Sequence, residues 1–153
     1  MISPKSLVRI SLEAVKTLVE ELLLSMIFPF SEKHLRLMID NDWTIIASIV
    51  YAMKHRPNYP KELSPEEVRR LESRRIAICK ITWTNLLMIR QLVARLPRSL
   101  VERYLNKDYA MKYFRKKIPW VVEVIEKHPR GEAWFEKQIE EVREFIYRGK
   151  VWK

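Results

Sequence analysis

The chain has 153 residues, of which 48% are hydrophobic and 31% charged, and its formal net charge at pH 7 is +10. This length is that of one domain with a buried core. The two glycines and the single cysteine exclude a glycine-rich phosphate loop and an intramolecular disulfide. Charged residues interrupt every apolar stretch, so we expect no membrane span, and MISPKSLVRI lacks the apolar core of a secretion signal.

Residues 1–55 are expected to form three helices. Ser3, with a proline after it, predicts the start of a first helix that runs to about Phe28, where another proline follows. Ser31 is a favourable cap for a short second helix. Asp42 is expected to cap a third helix, which is apolar on nearly every side.

A linker over 56–64 leads into one long helix over 65–96. Ser64 is followed by a proline and two glutamates, which is a strong helix start, and no further proline or glycine occurs before Pro97. The first part of this helix is charged, whereas its second part is apolar on most sides. Such a helix is typical of the inside of a bundle or of a contact between subunits.

The rest of the chain is also predicted to be helical. Two short helices over 98–106 and 108–117 precede a helix over 119–127, and a last helix begins at Gly131. No strand pattern is present, so we predict an all-α helical bundle in a single domain, 1–153. This domain divides into N-terminal helices (1–55), a linker (56–64), basic central helices (65–117) and C-terminal helices (118–153).

The positive charge is concentrated in the middle of the chain. Residues 68–117 hold fourteen basic and three acidic side chains, a net charge of +11. The flanking segments are close to neutral, with eight basic and nine acidic residues in 1–67 and seven of each in 118–153. An asymmetry of this kind predicts a polyanionic partner.

The sequence contains no pattern typical of a catalytic or metal site. His34, His55 and His128 lie on three different segments, and none has a second ligand at helical spacing. Cys79 lies in an apolar run and is expected to be a small buried side chain. We therefore expect no metal, no cofactor and no enzymatic activity.

The basic centre is the candidate binding surface. Lys112, Arg115 and Lys116 lie at i, i+3 and i+4, so they project from one side of a helix, and Tyr109 and Tyr113 lie on an adjacent side. Arginine presents a planar fork that suits phosphate. The predicted nucleic-acid-binding residues are Arg69, Arg70, Arg74, Arg75, Arg95, Arg98, Arg103, Lys107, Tyr109, Lys112, Tyr113, Arg115, Lys116 and Lys117.

Three functions fit this surface. A structural protein would hold double-stranded DNA by its backbone, largely without regard to sequence. A helix-turn-helix transcriptional regulator would use residues 98–117, although the turn glycine of that motif is absent and Glu102, Lys107 and Lys112 occupy positions where it has small or apolar residues. A helical protein-interaction module would present the same basic face to an acidic protein.

The basic centre from Arg69 to Lys117, in a small helical chain with only four Asn and two Gln, resembles the DNA-wrapping coat proteins of filamentous viruses of hyperthermophilic archaea, of the tristromavirus and lipothrixvirus type. The resemblance implies a nucleocapsid or major coat subunit that pairs with itself or with a paralogous subunit. It also implies linear double-stranded DNA, held in A-form inside a helical filament. The expected location is then the virion or the host cytoplasm. Coats of this type often wrap DNA near the N-terminus, whereas residues 1–67 here are slightly acidic.

Overall fold

The computed structural model describes residues 4–148, with side-chain burial from residue 12 onward. This part of the chain forms eight α-helices and no strand, which confirms the all-α prediction. The helices are α1 (Pro4–Ile27), α2 (Glu32–Asp40), α3 (Ile45–Lys54), α4 (Pro65–Ala94), α5 (Arg98–Val101), α6 (Lys107–Lys117), α7 (Pro119–Lys127) and α8 (Gly131–Tyr147). The predicted cap of the first helix, Ser3, lies outside the described residues.

Short polar side chains set the helix starts. The side chains of Ser31, Ser64 and Asn106 accept hydrogen bonds from backbone N–H groups in the first turns of α2, α4 and α6. The expectation for Asp42 is wrong, because Thr44 caps α3 by accepting from the N–H of Ala47 at 3.3 Å. Asp42 instead has a φ of 54°, a left-handed turn conformation that aspartate adopts more readily than most residues.

One continuous core holds the helices together. α1 lies along α4, α2 packs on α7, and α8 contacts α3, α4, α6 and α7. The largest fully buried side chains include Phe114, Phe135 and Phe145, which come from α6 and α8. Among the described residues, Gln138 is the polar side chain buried in this core, and its Oε1 accepts from the N–H of Ile45 at 2.8 Å. That bond satisfies a donor at the start of α3 that would otherwise be orphaned.

The long central helix is present, but it is less enclosed than its apolar composition indicates. α4 runs unbroken to Ala94, two residues short of the predicted end. Leu86 and Val93 are its buried side chains. Cys79, expected to be buried, is only partly covered. Much of the apolar second half therefore faces away from the rest of the domain.

The predicted helix over 98–106 is wrong in its extent, because α5 is a single turn. The Asn106 amide donates to the carbonyls of Glu102 and Arg103 at 3.1 and 3.0 Å, while its Oδ1 accepts from the N–H of Tyr109. One side chain thus terminates the turn and begins α6. Such local side-chain bonds compete with continuation of a helix.

By length and composition, one helix in the described part of the chain could cross a membrane. This is α4, with a mean hydropathy of 1.2 over its most apolar 18 residues, of which 11% are buried. Lys80 and Arg90 both lie in its apolar half. The expectation of no membrane span remains a prediction.

Candidate nucleic-acid interface

The first half of α4 carries three free arginines. Arg69, Arg70 and Arg74 are exposed, and none of them has an ion pair within the described residues. Their guanidinium groups are therefore available to an anion. Arg75 differs, because it lies half-buried, with Nη2 at 2.6 Å from Glu72 Oε1 and with Nη1 donating to the carbonyl of Ala52.

Arg75 belongs to a cluster that ties the linker to α4. The hydroxyl of Tyr59 donates to Glu72 Oε2 at 2.5 Å, so the same carboxylate binds Arg75 and Tyr59. The hydrogen bonds from Arg75 and then Tyr59 lower the pKa of Glu72 to about 2. The bond to Glu72 in turn raises the pKa of Tyr59. The cluster orients the start of α4 and so positions its free arginines.

This cluster predicts acid sensitivity. The pKa of Glu72 is depressed on folding, so its stabilisation is complete above the usual value of 4.5 and is lost as the pH falls towards 2. We expect Glu72→Gln to lower stability at pH 7 and to flatten its dependence on pH between about 5 and 2. Denaturant unfolding at several pH values measures this. The control is Glu66→Gln, on an exposed residue of the same helix, which should keep the wild-type dependence of stability on pH. If wild type and Glu72→Gln lost stability equally steeply as the pH falls, the assignment would be refuted.

A second basic group lies where α4 passes into α5. Arg95 and Arg103 are exposed and have no ion pair within the described residues. The Arg98 guanidinium stacks over the ring of Tyr147, with its Cζ 4.4 Å from the ring centroid, and its Nε lies 3.9 Å from Glu102 Oε1. This group follows the carboxyl end of α4, so it lies at the opposite end of that helix from Arg69 and Arg70.

The third basic group occupies α6, which carries both basic and aromatic residues. Lys112, Lys116 and Lys117 are exposed and have no ion pair within the described residues. Arg115 is exposed but lies 2.7 Å from Glu126 of α7. Lys107, at the other end of α6, is half-buried and lies 3.5 Å from Glu136. Positive charge in the last turn also stabilises the helix through its dipole, which is a structural role independent of any ligand.

The two tyrosines predicted to contact nucleic acid instead pack against the protein. The hydroxyl of Tyr109 donates to Glu20 Oε2 of α1 at 2.7 Å, and its ring meets Tyr104 edge-on. Burial, and then the bond to Glu20, raises the pKa of Tyr109 well above its usual range. Burial likewise raises the pKa of Tyr113, which packs against the core. Tyr109 thus joins α6 to α1, and both rings are half-buried, which leaves little of either face open for base stacking.

Sequence reasoning overlooked two basic side chains. Arg56 is exposed in the linker, with its Cζ 5.8 Å from the ring centroid of Tyr59, and so lies near the start of α4. Arg56 belongs to a nearly neutral segment of the sequence, so the net charge of that segment did not indicate it as a binding residue. Lys80 is exposed on α4 itself, between the two arginine groups. It lies within an apolar run, apart from the clustered basic residues.

The free basic side chains therefore form separate groups. Arg70 and Arg95 are 25 residues apart on one helix, which corresponds to about 37 Å at the rise of an α-helix. Such spacing suits several phosphates along a duplex, whose helical turn is about 34 Å.

Within residues 4–148, no three His, Cys, Asp or Glu side chains come together as metal ligands.

Comparisons with models of protein families, with curated proteins and with solved structures each find no match to this chain.

Proposed function

We propose that this protein is a non-enzymatic structural protein that coats or wraps double-stranded DNA through backbone contacts. The observation that carries the proposal is the exposure of the basic centre. Of the twelve Arg and Lys side chains predicted to bind nucleic acid, ten are exposed, and only Arg75 and Lys107 are half-buried. The net charge of +11 over residues 68–117 is therefore presented mostly to solvent.

The chemistry of these groups favours phosphate over base edges. Lysine and arginine side chains that neutralise phosphates release bound counterions, which gives affinity without sequence recognition. The groups on α4, α5 and α6 are spread over the molecule rather than gathered on one recognition helix. Such a distribution favours contact along a duplex backbone.

The biological role in this proposal is that of a viral nucleocapsid or major coat subunit. It rests on the resemblance to coat proteins of filamentous archaeal viruses together with the exposed basic centre. The subunit would bind double-stranded DNA largely independently of sequence, and would assemble as a homo-oligomer or as a heterodimer with a paralogous subunit. It would be located in the virion or in the host cytoplasm.

The decisive test is the affinity and stoichiometry of the purified chain on random-sequence duplex DNA across a salt series. We expect a steep, linear fall of log K with log salt and saturation at one protein per few base pairs. A shallow slope with weak binding would overturn the proposal. Strong discrimination between two unrelated duplexes would instead favour a helix-turn-helix regulator, although α5 is only one turn long.

A helical protein-interaction module is the second candidate. One observation favours it: large apolar side chains of α4 are exposed, including Ile81 at 62% and Met88 at 55%. Monomeric proteins rarely leave extended apolar patches open to water. The two functions are compatible, because a coat subunit needs both a surface for DNA and a surface for its neighbours.

A further inference from the structure

The exposed side of α4 carries an apolar pattern that the fold does not use. Eight exposed positions follow one another at alternating spacings of three and four residues. We call them the α4 seam: Leu71, Arg74, Ile78, Ile81, Asn85, Met88, Leu92 and Arg95. Five of the eight are large apolar side chains, and all five are among the exposed large hydrophobics of the protein.

The opposite side of α4 is covered by the domain. Leu86 and Val93 are fully buried, and the ring of Trp83 lies 5.7 Å from that of Phe145 in α8. The Arg90 guanidinium also covers the ring of Phe145, at 4.9 Å. The seam is therefore a separate face, which points away from the helices that hold α4 in place.

The repeat in the seam is that of a coiled coil. A hydrophobic pattern with a mean spacing of 3.5 residues keeps one stripe facing a partner helix along its whole length. The eight positions span residues 71–95, about three and a half heptads, and five of the eight are apolar. The neighbouring side chains Ser73, Ala77 and Thr84 are small, so a second helix can approach closely.

We infer that the α4 seam binds the same seam of a second copy of this chain, with the two helices antiparallel. This inference deepens the self-association in the proposed function and does not depend on DNA binding. The arrangement that uses all eight positions places Ile78 opposite the partner's Met88 and Ile81 opposite the partner's Asn85. Leu71 and Leu92 then lie against the aliphatic stems of the partner's Arg95 and the partner's Arg74.

The placement of charge within the seam favours a second copy in the antiparallel direction. In that register each seam arginine lies opposite a leucine of the partner, twice by symmetry, so the seam matches itself without bringing like charges together. A parallel copy would instead stack Arg74 on the partner's Arg74, which like-charge repulsion disfavours.

A lipid surface is a poorer match to the same face. The seam includes Asn85 and two arginines, and its centre lies on a helix whose opposite side is anchored in the domain core. The two arginines can extend their charged ends past the edge of a helix pair to water, whereas insertion of the seam into lipid would bury them.

The test is the oligomeric state without DNA. We expect sedimentation equilibrium of the wild-type chain to show a dimer, and Ile81→Lys/Met88→Lys to weaken dimerisation by about a hundredfold or more, because lysines would be buried unpaired. Both residues are exposed in the subunit, so circular dichroism should show an intact helical fold. The matched control, Phe28→Lys/Leu37→Lys, places lysine at exposed apolar residues outside the seam and should remain dimeric.

Several outcomes would overturn the inference. The wild-type chain could be monomeric at every concentration reached, or the seam variant could still be dimeric. The control variant could also dissociate as much as the seam variant does. Binding of monomeric wild type to phosphatidylcholine vesicles, lost in the seam variant, would assign the face to a membrane instead. Because no DNA is present, failure here is distinct from failure of the DNA-binding proposal.

Cross-linking tests the direction of the helices and does not rely on the lysine variants. In a Cys79→Ser background, an oxidised mixture of Ile78→Cys and Met88→Cys chains should form a disulfide-linked dimer, because these positions face each other in the antiparallel pair. Each variant alone should not. Efficient cross-linking of Ile78→Cys with itself would show a parallel pair and overturn the antiparallel arrangement.

Discussion

Replacing Lys112, Lys116 and Lys117 together with alanine should weaken binding to random duplex DNA by at least about tenfold at low salt. These side chains are exposed on α6, two of them in its last turn, and have no ion pair within the described residues. If each contacts a phosphate, the slope of log K against log salt should become shallower by about 2 to 3. The loss should be the same for unrelated sequences, because phosphate contacts carry no base information.

The matched control removes three lysines from outside the basic centre. Lys33, Lys61 and Lys127 are also exposed, so their replacement by alanine lowers the net charge equally. Arg115 is retained in both variants because it pairs with Glu126. Fluorescence anisotropy across a salt series compares the two variants. Equal losses would show that only total charge matters, and no loss in the α6 variant would remove α6 from the interface.

Gly131→Ala should lower the free energy of unfolding by about 3 kcal/mol or more. A Cβ built on Gly131 would lie 1.8 Å from the carbonyl oxygen of Ile125, a backbone atom that cannot move without shifting the corner between α7 and α8. The expected fall in melting temperature is roughly 6 °C or more. Thermal unfolding followed by circular dichroism measures it.

The sign of this effect separates the steric explanation from helix propensity. Gly131 is the first residue of α8, where alanine would by propensity alone be favoured by up to about 1 kcal/mol. A variant as stable as wild type, or more so, would therefore contradict the close approach seen in the structure. Pro129→Ala, in the same turn but exposed, controls for effects on the turn itself and should change stability by less than about 1 kcal/mol.

Much of the helix map was predictable because its signals are local. The starts of α4 and α7 follow from Ser64 with the proline after it and from Pro119, and both helices begin where expected. The third helix is capped by Thr44 rather than by Asp42, because Asp42 lies in a left-handed turn conformation before the helix, which its sequence does not reveal. The single turn of α5 depends on hydrogen bonds of Asn106, whose amide could equally have faced solvent.

The candidate site was only partly predictable. Charge counting located the basic centre, and most of its side chains are exposed. It could not show that Arg75 binds the carbonyl of Ala52 in α3, or that Lys107 faces α8, since these partners come from other helices. Nor could it show the pair with Glu72, which lies on the same helix as Arg75 but meets it only in particular rotamers. Tyr109 is the clearest case, because its partner Glu20 is 89 residues away and no local pattern links the two.

The sequence by itself determined the helical class, the long central helix and the concentration of positive charge between two nearly neutral flanks. These properties follow from spacing, caps and composition, which act within a few residues. Only the tertiary structure decided which side of α4 is covered. An apolar helix surface has the same sequence pattern whether its own domain or another molecule buries it. Whether the domain buries it depends on how many neighbouring helices the fold packs against it. Here α1, α3 and α8 cover one side of α4 and leave the α4 seam exposed.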